Sequence, residues 1–240
     1  MDAFQAVFKR KEIKYLLSDQ QLDSLMPILS AHMEPDAFPH SSISNLYYDT
    51  PDYYMIRRSL EKPQYKEKLR LRSYGIPGDS SMVFPEIKKK AQGVVYKRRV
   101  SLPYREAVNY LNGEAPAQSG QIFRELGWML SAYPDLAPRV YLSYERDSWA
   151  GVRDPGLRLT LDRDILWRNT GLDLRQGPWG IPLLSPGQTL MEVKVLGATP
   201  LWLCDAFSRL GIFPVSYSKY GRAYQNMCCE KINKEFKQYA

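Results

Sequence analysis

The sequence predicts an α+β fold built on a mainly antiparallel sheet that closes into a barrel. Helices pack outside it, and a C-terminal helix lies near its mouth. Three observations predict this. Charged residues recur on every second position at Arg10, Glu12 and Lys14, at Lys68, Arg70 and Arg72, at Glu86, Lys88 and Lys90, and at Lys97 and Arg99. Period-two geometry puts each set on one face, with Leu69, Leu71, Ile87 and Val100 on the other. About eight strand-like runs occur, few of them separated by the roughly 10-to-15-residue helical spacers of parallel βαβ units. Closing such a sheet removes its edges and concentrates the charge, so the apolar outward positions must be covered by helices.

The elements follow in order. Ser18 caps a helix in which Leu22, Leu25, Ile28 and Leu29 recur at helical spacing, interrupted near Pro27. The run SISNLYYDT reads as a strand, followed by a short segment over 53–60. A strand over 65–74 is turned by IPGD, and strands over 82–90 and 94–102 form a hairpin with Gln92 and Gly93 at its turn. Pro103 starts a helix, and a second covers 118–132. Strands return in RVYLSYERDSW, GLRLTLDRDILWR and TLMEVKVL, before helices over 200–210 and 217–239. No internal repeat interrupts the pattern, and one domain over 1–240 is expected.

With 44% hydrophobic residues the chain carries a real core, and its net charge of +7 favours acidic partners in general. Three cysteines, Cys204, Cys228 and Cys229, make a poor disulfide framework and suggest a reducing compartment. His32 and His40 lack the cysteine spacing of a zinc site. There is no run of about 18 apolar residues and no secretion signal, so a cytoplasmic location is expected.

The alternating charges constrain function more sharply. Two like charges about 6 Å apart at an effective dielectric of about 20 repel by roughly 2 to 3 kcal/mol. Six enclosed cations therefore need partners, and Glu12, Glu86 and Glu192 supply few. A solvated strand face is the bland alternative; a bound polyanion is the functional one, and phosphate chains suit the arginine fork and the lysine point charge. Lys89 and Arg98, on the opposite parity, read as surface residues. Tyr47, Tyr48, Tyr53 and Tyr54 serve either packing or base stacking. Helix-turn-helix, zinc and RNP-like signatures are absent, which speaks against specific nucleic-acid binding.

The string Arg10-Lys11-Glu12-Ile13-Lys14-Tyr15, then KLRLR at 68–72, PEIKKK at 85–90, YKRR at 96–99, RLTLD at 158–162, MEVKV at 191–195 and SKYGRAY at 218–224, resembles the VTC domain. The resemblance is to the polyphosphate polymerase domain, in a stand-alone bacterial-type form, and it implies a place among the CYTH-like triphosphate tunnel metalloenzymes. The resemblance runs from about residue 8 to 226 and keeps the family's motif order. Hydrolytic relatives open with Glu-x-Glu-x-Lys, whereas Arg10 here gives Arg-x-Glu-x-Lys and removes one potential metal ligand.

The resemblance implies that Lys14, Arg70, Arg72, Lys88, Lys97, Arg99, Arg146 and Arg158 hold phosphate oxygens, with Lys219 closing on the substrate. Arg10, Lys68, Lys90, Lys194 and Arg222 are further substrate contacts, and Glu192 is the principal ligand of a Mn²⁺ or Mg²⁺ ion. Glu12 and Glu86 either bind metal or position the lysines. The implied chemistry is transfer of the ATP γ-phosphoryl group to a growing polyphosphate chain, with pyrophosphate or triphosphate as smaller substrates. Hydrolysis of tripolyphosphate or a nucleoside triphosphate, and catalytically silent binding of polyphosphate, are the alternatives. In the eukaryotic complex the domain is joined to membrane helices; this sequence shows none, so a membrane partner would be a separate protein.

Overall fold

The computed structural model describes residues 11–92, 94–116, 118–133 and 135–238, with side chains of the last helix described to residue 229. The readings made for Arg10 and Gly93 lie outside the described residues. Along the chain run β1 (Lys11–Ser18), α1 (Asp19–His32), β2 (Met33–Asp49), α2 (Tyr54–Leu60), β3 (Tyr65–Tyr74), β4 (Met82–Ala91) and β5 (Val94–Arg99). Then come β6 (Leu102–Pro103), α3 (Tyr104–Leu111), α4 (Gln121–Ala132), β7 (Ala137–Gly151), β8 (Arg158–Arg168) and β9 (Ile181–Pro182). The last are β10 (Gln188–Val195), α5 (Leu201–Arg209), β11 (Pro214–Val215) and α6 (Lys219–Gln238). Eight strands have six or more residues, and β6, β9 and β11 have two each, so the α+β, mainly antiparallel reading holds.

The chain divides into two compact units, and neither is a continuous stretch: Met1–Ser41, Glu145–Ile165 and Leu184–Tyr217 form the first, Ser42–Tyr144, Leu166–Leu183 and Ser218–Ala240 the second. In the first unit β1 pairs antiparallel with β10 from Lys11↔Val195 to Ser18↔Gln188. Strand β10 pairs in turn with β8 from Leu190↔Asp162 to Lys194↔Arg158. The register puts Tyr15, Leu17, Leu159, Leu161, Met191 and Val193 on one face, where they pack with Leu22, Leu25 and Leu29 of α1 and Leu203 and Phe207 of α5. Every alternate residue, including Glu12, Lys14, Arg158, Thr160, Asp162, Glu192 and Lys194, falls on the other face.

Helix α1 opens with a capping box, in which the Ser18 side chain accepts from the Gln21 backbone and the Gln21 side chain from that of Ser18. Contrary to the expected interruption, α1 runs unbroken through Pro27. Pro27 is exposed, so the carbonyl it leaves without an amide partner lies on the wet side of the helix.

In the second unit β2, β3, β4 and β5 are neighbours in that order, all antiparallel. Leu69, Leu71, Val83 and Ile87 are fully buried against Leu102, Ala107 and Leu111 and against Phe123, Leu126 and Met129 of α4. The opposite face carries Lys68, Arg70, Arg72, Glu86, Lys88, Lys97 and Arg99 through the pairs Arg70↔Glu86, Lys68↔Lys88, Glu86↔Arg99 and Lys88↔Lys97. The hairpin is therefore as expected. Arg98 is exposed, as read, and lies 3.7 Å from Glu125 of α4, whereas Lys89 is half-buried, 5.3 Å over the Trp128 ring of the same helix.

The expected ring closure is corrected. Among the described residues β11 pairs with β1 alone and β5 with β4 alone, so the hydrogen-bonded ladder keeps two ends. The end strands explain this physically, because β11 is two residues long and every residue of β5 is exposed. No helix among the described residues is long and apolar enough to cross a membrane.

Candidate functional site

The two units each present a charged sheet face, and their chemistry differs. In the first unit Glu192 lies at the centre. Lys14 Nζ stands 3.4 Å from Glu192 Oε1 and 3.5 Å from Glu12, and donates to the Tyr217 carbonyl at 3.1 Å. On the other oxygen of Glu192, Lys194 Nζ approaches to 3.4 Å and Arg146 Nη2 to 3.6 Å. Arg146 is held by a fork to Asp162, donating at 2.5 and 2.7 Å, and Asp162 is fully buried. Burial lowers the Lys194 pKa, against the pull of Glu192 and with the push of Arg146. Arg158 is exposed and pairs with Asp36 at 3.4 Å.

In the second unit one carboxylate serves many cations. Glu86 is 1% exposed; Arg70 donates to it at 2.8 and 2.5 Å, Lys97 lies 2.9 Å away and Arg99 4.0 Å. Burial would raise the Glu86 pKa, but Arg70, Arg72 and Lys97 outweigh it and hold it at about 2. The Lys97 pKa is lowered by burial despite Glu86. Arg72, buried, donates to Asn45 at 2.9 Å and to the Tyr144 hydroxyl at 3.0 Å. Arg70 also donates to the Tyr47 hydroxyl at 3.2 Å, and the charges of Arg70, Lys68 and Arg72 lower the Tyr47 pKa although burial opposes them.

The start of α6 belongs to this second cluster. Lys219 Nζ lies 4.6 Å over the Tyr144 ring, and Lys68 Nζ is 3.3 Å from Ser218 Oγ and 5.9 Å over the Tyr220 ring. Tyr220 stacks on Tyr47 and donates to Asp49 at 2.8 Å. Asp49 accepts in turn from the backbone of Met55 and Ile56, capping α2, whose own leading residue offers no side-chain cap. Lys88 and Lys90 are exposed on the same face, and Arg222 is exposed on α6. Of the four tyrosines considered for base stacking, Tyr48 is core, Tyr47 joins the cation cluster, and Tyr53 packs near Tyr224.

Sequence reading did not single out Asp162, Thr160, Asn45 or Tyr144, and it read Tyr47 for packing or base stacking rather than as a partner of Arg70. Asp162 and Thr160 were within reach, since they share the parity of Arg158 in RLTLD. Tyr144 likewise shares the parity of Arg146.

The first unit's donor set fits a hard divalent cation. Lys14 already places a positive charge between Glu12 and Glu192, and Thr160 faces Glu192 directly across the ladder. Among the described residues the buried Thr160 hydroxyl has no hydrogen-bond partner, which suits a polar ligand. The described residues hold no group of three His, Cys, Asp or Glu able to cage a metal. Water and substrate oxygens would complete the shell, as is usual for Mg²⁺ at phosphate sites.

Two solved structures share the fold. A candidate adenylate cyclase from Bacillus halodurans superposes with a TM-score of 0.54 at 16% identity, covering 87% of this chain and 95% of that one. A candidate adenylyl cyclase from Hippeastrum, described as having a dominant triphosphatase activity, gives 0.53 at 15% identity, covering 90% and 95%. Among curated proteins, vacuolar transporter chaperone complex subunit 4 of Trypanosoma cruzi is 22% identical over 223 residues, and that of Trypanosoma brucei brucei 23% over 245. The alignments take in 70% and 79% of this chain but only 28% and 30% of those proteins. The family profile of the VTC domain matches residues 9–228, and the chain belongs to the VTC domain family.

Proposed function

We propose that this chain is a divalent-metal-dependent polyphosphate polymerase that transfers the γ-phosphoryl group of ATP to a growing polyphosphate chain and releases ADP. The observation that carries the reading is in the second unit, where Arg70, Arg72, Lys97 and Arg99 all direct their charge at one buried carboxylate, Glu86. A chain of phosphates matches that excess. Membership of the VTC family supports the same reading.

In this mechanism Arg70 and Arg72 present fixed forks to phosphate oxygens. Their orientation is set beforehand by Glu86 and Tyr47 for one, and by Asn45 and Tyr144 for the other. Lys68, Lys97, Arg99 and Lys219 add positive charge where negative charge shifts during transfer. No side-chain nucleophile is needed: an oxygen of the acceptor phosphate attacks the γ-phosphorus and the bond to the β-phosphate oxygen breaks. Glu192 and Glu12, with Thr160, would hold Mn²⁺ or Mg²⁺, which neutralises phosphate charge when bound. Glu86 acts as a positioning carboxylate here, since its cations already enclose it. We place the reaction in the cytoplasm and read the two units as one working domain.

The test incubates purified protein with ATP and Mn²⁺ or Mg²⁺, resolves products by gel, and scores ADP against orthophosphate, with Glu192→Ala and Arg70→Ala as controls. Long phosphate chains with ADP, lost in both variants, establish the polymerase. Orthophosphate without polymer makes the chain a triphosphatase, the activity named for the Hippeastrum protein of the same fold. Binding of polyphosphate without turnover under either metal leaves a carrier.

A further inference from the structure

The cation face of the second unit continues past its arginines. Along β3 and β4 the register sets Lys68 opposite Lys88 and then Lys66 opposite Lys90, and Lys88 also faces Lys97 of β5. Residues two apart share a face, so these lysines extend the side that carries Arg70, Arg72 and Glu86. Like charges directly opposite one another destabilise an antiparallel pair, and here two such pairs follow in succession. Glu86 is the one acid at the alternate positions of β3 and β4 on this face, and it already holds Arg70 and Lys97. At about 3.3 Å per residue Lys90 lies about 13 Å from Glu86 along β4, beyond a Debye length at physiological salt.

Lys66 is the most enclosed member of this end. Its ammonium donates to the Ser59 carbonyl near the end of α2 at 3.1 Å, which fixes the charge in place. Burial lowers its pKa, and the charges of Lys90, Lys62 and Lys88 lower it further. Four lysines therefore gather here: Lys62 just before β3, Lys66 on β3, and Lys88 and Lys90 on β4, with Lys62, Lys88 and Lys90 exposed. Arg72 and Lys66 are six residues apart, about 20 Å along the strand. Three linked phosphates held at Arg70 and Arg72 do not reach that far, whereas a longer chain does. Lysine suits such an extension, because a flexible point charge follows a sliding chain where the arginine fork fixes one phosphate.

We propose that Lys62, Lys66, Lys88 and Lys90 form a chain-binding annex at the start of β3, which takes the phosphates of a linear polyphosphate beyond those gripped at Arg70 and Arg72 and so favours long chains over tripolyphosphate. The proposal rests on the reading of the second unit as a phosphate-binding face and adds a preference for chain length to it.

The experiment is calorimetric binding of inorganic tripolyphosphate, of long-chain inorganic polyphosphate and of a single-stranded RNA, at several salt concentrations, to the wild-type chain and to Lys66→Gln, Lys62→Asn and the double variant. Lys66→Gln also gives up the bond to Ser59; Lys62 is exposed and has a φ of 56°, which asparagine adopts readily, so Lys62→Asn removes the charge without disturbing packing. The expected result is a long-chain affinity about tenfold weaker in the double variant, with the salt dependence of binding reduced by about 0.7 per lysine removed, as for a single-stranded polyanion. Tripolyphosphate affinity stays unchanged in all three variants, and RNA binds more weakly than long-chain polyphosphate. Equal weakening of tripolyphosphate and the long chain, no weakening of the long chain, or a wild type that does not prefer long chains overturns the annex and leaves the phosphate-binding face standing. RNA bound as tightly as polyphosphate, and weakened by the same variants, makes this end a general polyanion surface and also overturns it. A wild-type chain that binds neither phosphate ligand overturns both readings together.

Discussion

The charged faces of the two units are built from the same residue types in different ratios. Among the described residues of the first, Lys14, Arg146 and Lys194 meet Glu12, Asp162 and Glu192, three cations against three carboxylates. In the second, Arg70, Arg72, Lys97 and Arg99 act together on Glu86. A balanced cluster holds its own geometry without help and can exchange an internal cation for a metal. An unbalanced one keeps a standing demand for negative charge. Under the proposed function the first cluster would hold the metal and the second would grip phosphates.

The first way to break this comparison is to unbalance the balanced cluster. Asp162→Ala strips Arg146 of its fork in a fully buried position, and loss of about 3–5 kcal/mol of folding stability is expected from urea titration. Asp162→Asn, which keeps shape and one acceptor, recovers part of it. An unchanged midpoint in Asp162→Ala means that the pair contributes no stability and that the balance is incidental.

Next in size is Arg70→Ala. Its guanidinium binds Glu86 and Tyr47 and is expected to face phosphate, so removing it costs about 2.7–4 kcal/mol of transition-state stabilisation, or 10²–10³ in turnover of ATP. Turnover within threefold of wild type moves the phosphate grip away from the second unit.

Acid titration sharpens the contrast from another side. The folded-state pKa of Glu86, about 2, lies below its ordinary 4.5, so its ion pairs contribute stability that is present above about pH 4.5 and is lost as pH falls toward 2. The full difference is on the order of 3 kcal/mol. Stability measured by urea at pH 5 and pH 2.5 falls more steeply in wild type than in Glu86→Gln. Parallel curves for the two proteins mean that Glu86 is not held by its neighbours as the geometry indicates.

The smallest effect expected is that of Thr160→Val, which preserves volume and removes the buried hydroxyl opposite Glu192. The concentration of Mn²⁺ needed for half-maximal activity rises severalfold, corresponding to about 1 kcal/mol, while ATP affinity in excess metal stays put. A metal requirement identical to wild type removes Thr160 from the metal's surroundings.

Much of this was legible in the sequence because period-two alternation is a local property. Once Lys68 to Arg72 form a strand, Leu69 and Leu71 must face opposite to Arg70, and both leucines are fully buried. The boundaries of β3 and the Ser18 cap were likewise readable from a few adjacent residues. Pro27 misled because proline's cost depends on what its missing donor faces, and exposure on α1 is a tertiary fact.

Alternation thus determined which side chains could stand on a charged face, and the family motifs determined their order along the chain. The tertiary structure decided which of them meet. It paired Arg146 with Asp162 rather than with Glu12, gathered Arg70, Lys97 and Arg99 on Glu86, and put Asp49 between α2 and α6. It also enclosed Arg168, a cation with no alternating partners, between the rings of Tyr141 and Trp179 with its donors on the Gly177 and Trp179 carbonyls. Strand parity is fixed by residues two apart, whereas an ion pair depends on strand register and on the distance between residues far apart in sequence, as Lys14 and Glu192 are. Only the folded chain sets those distances.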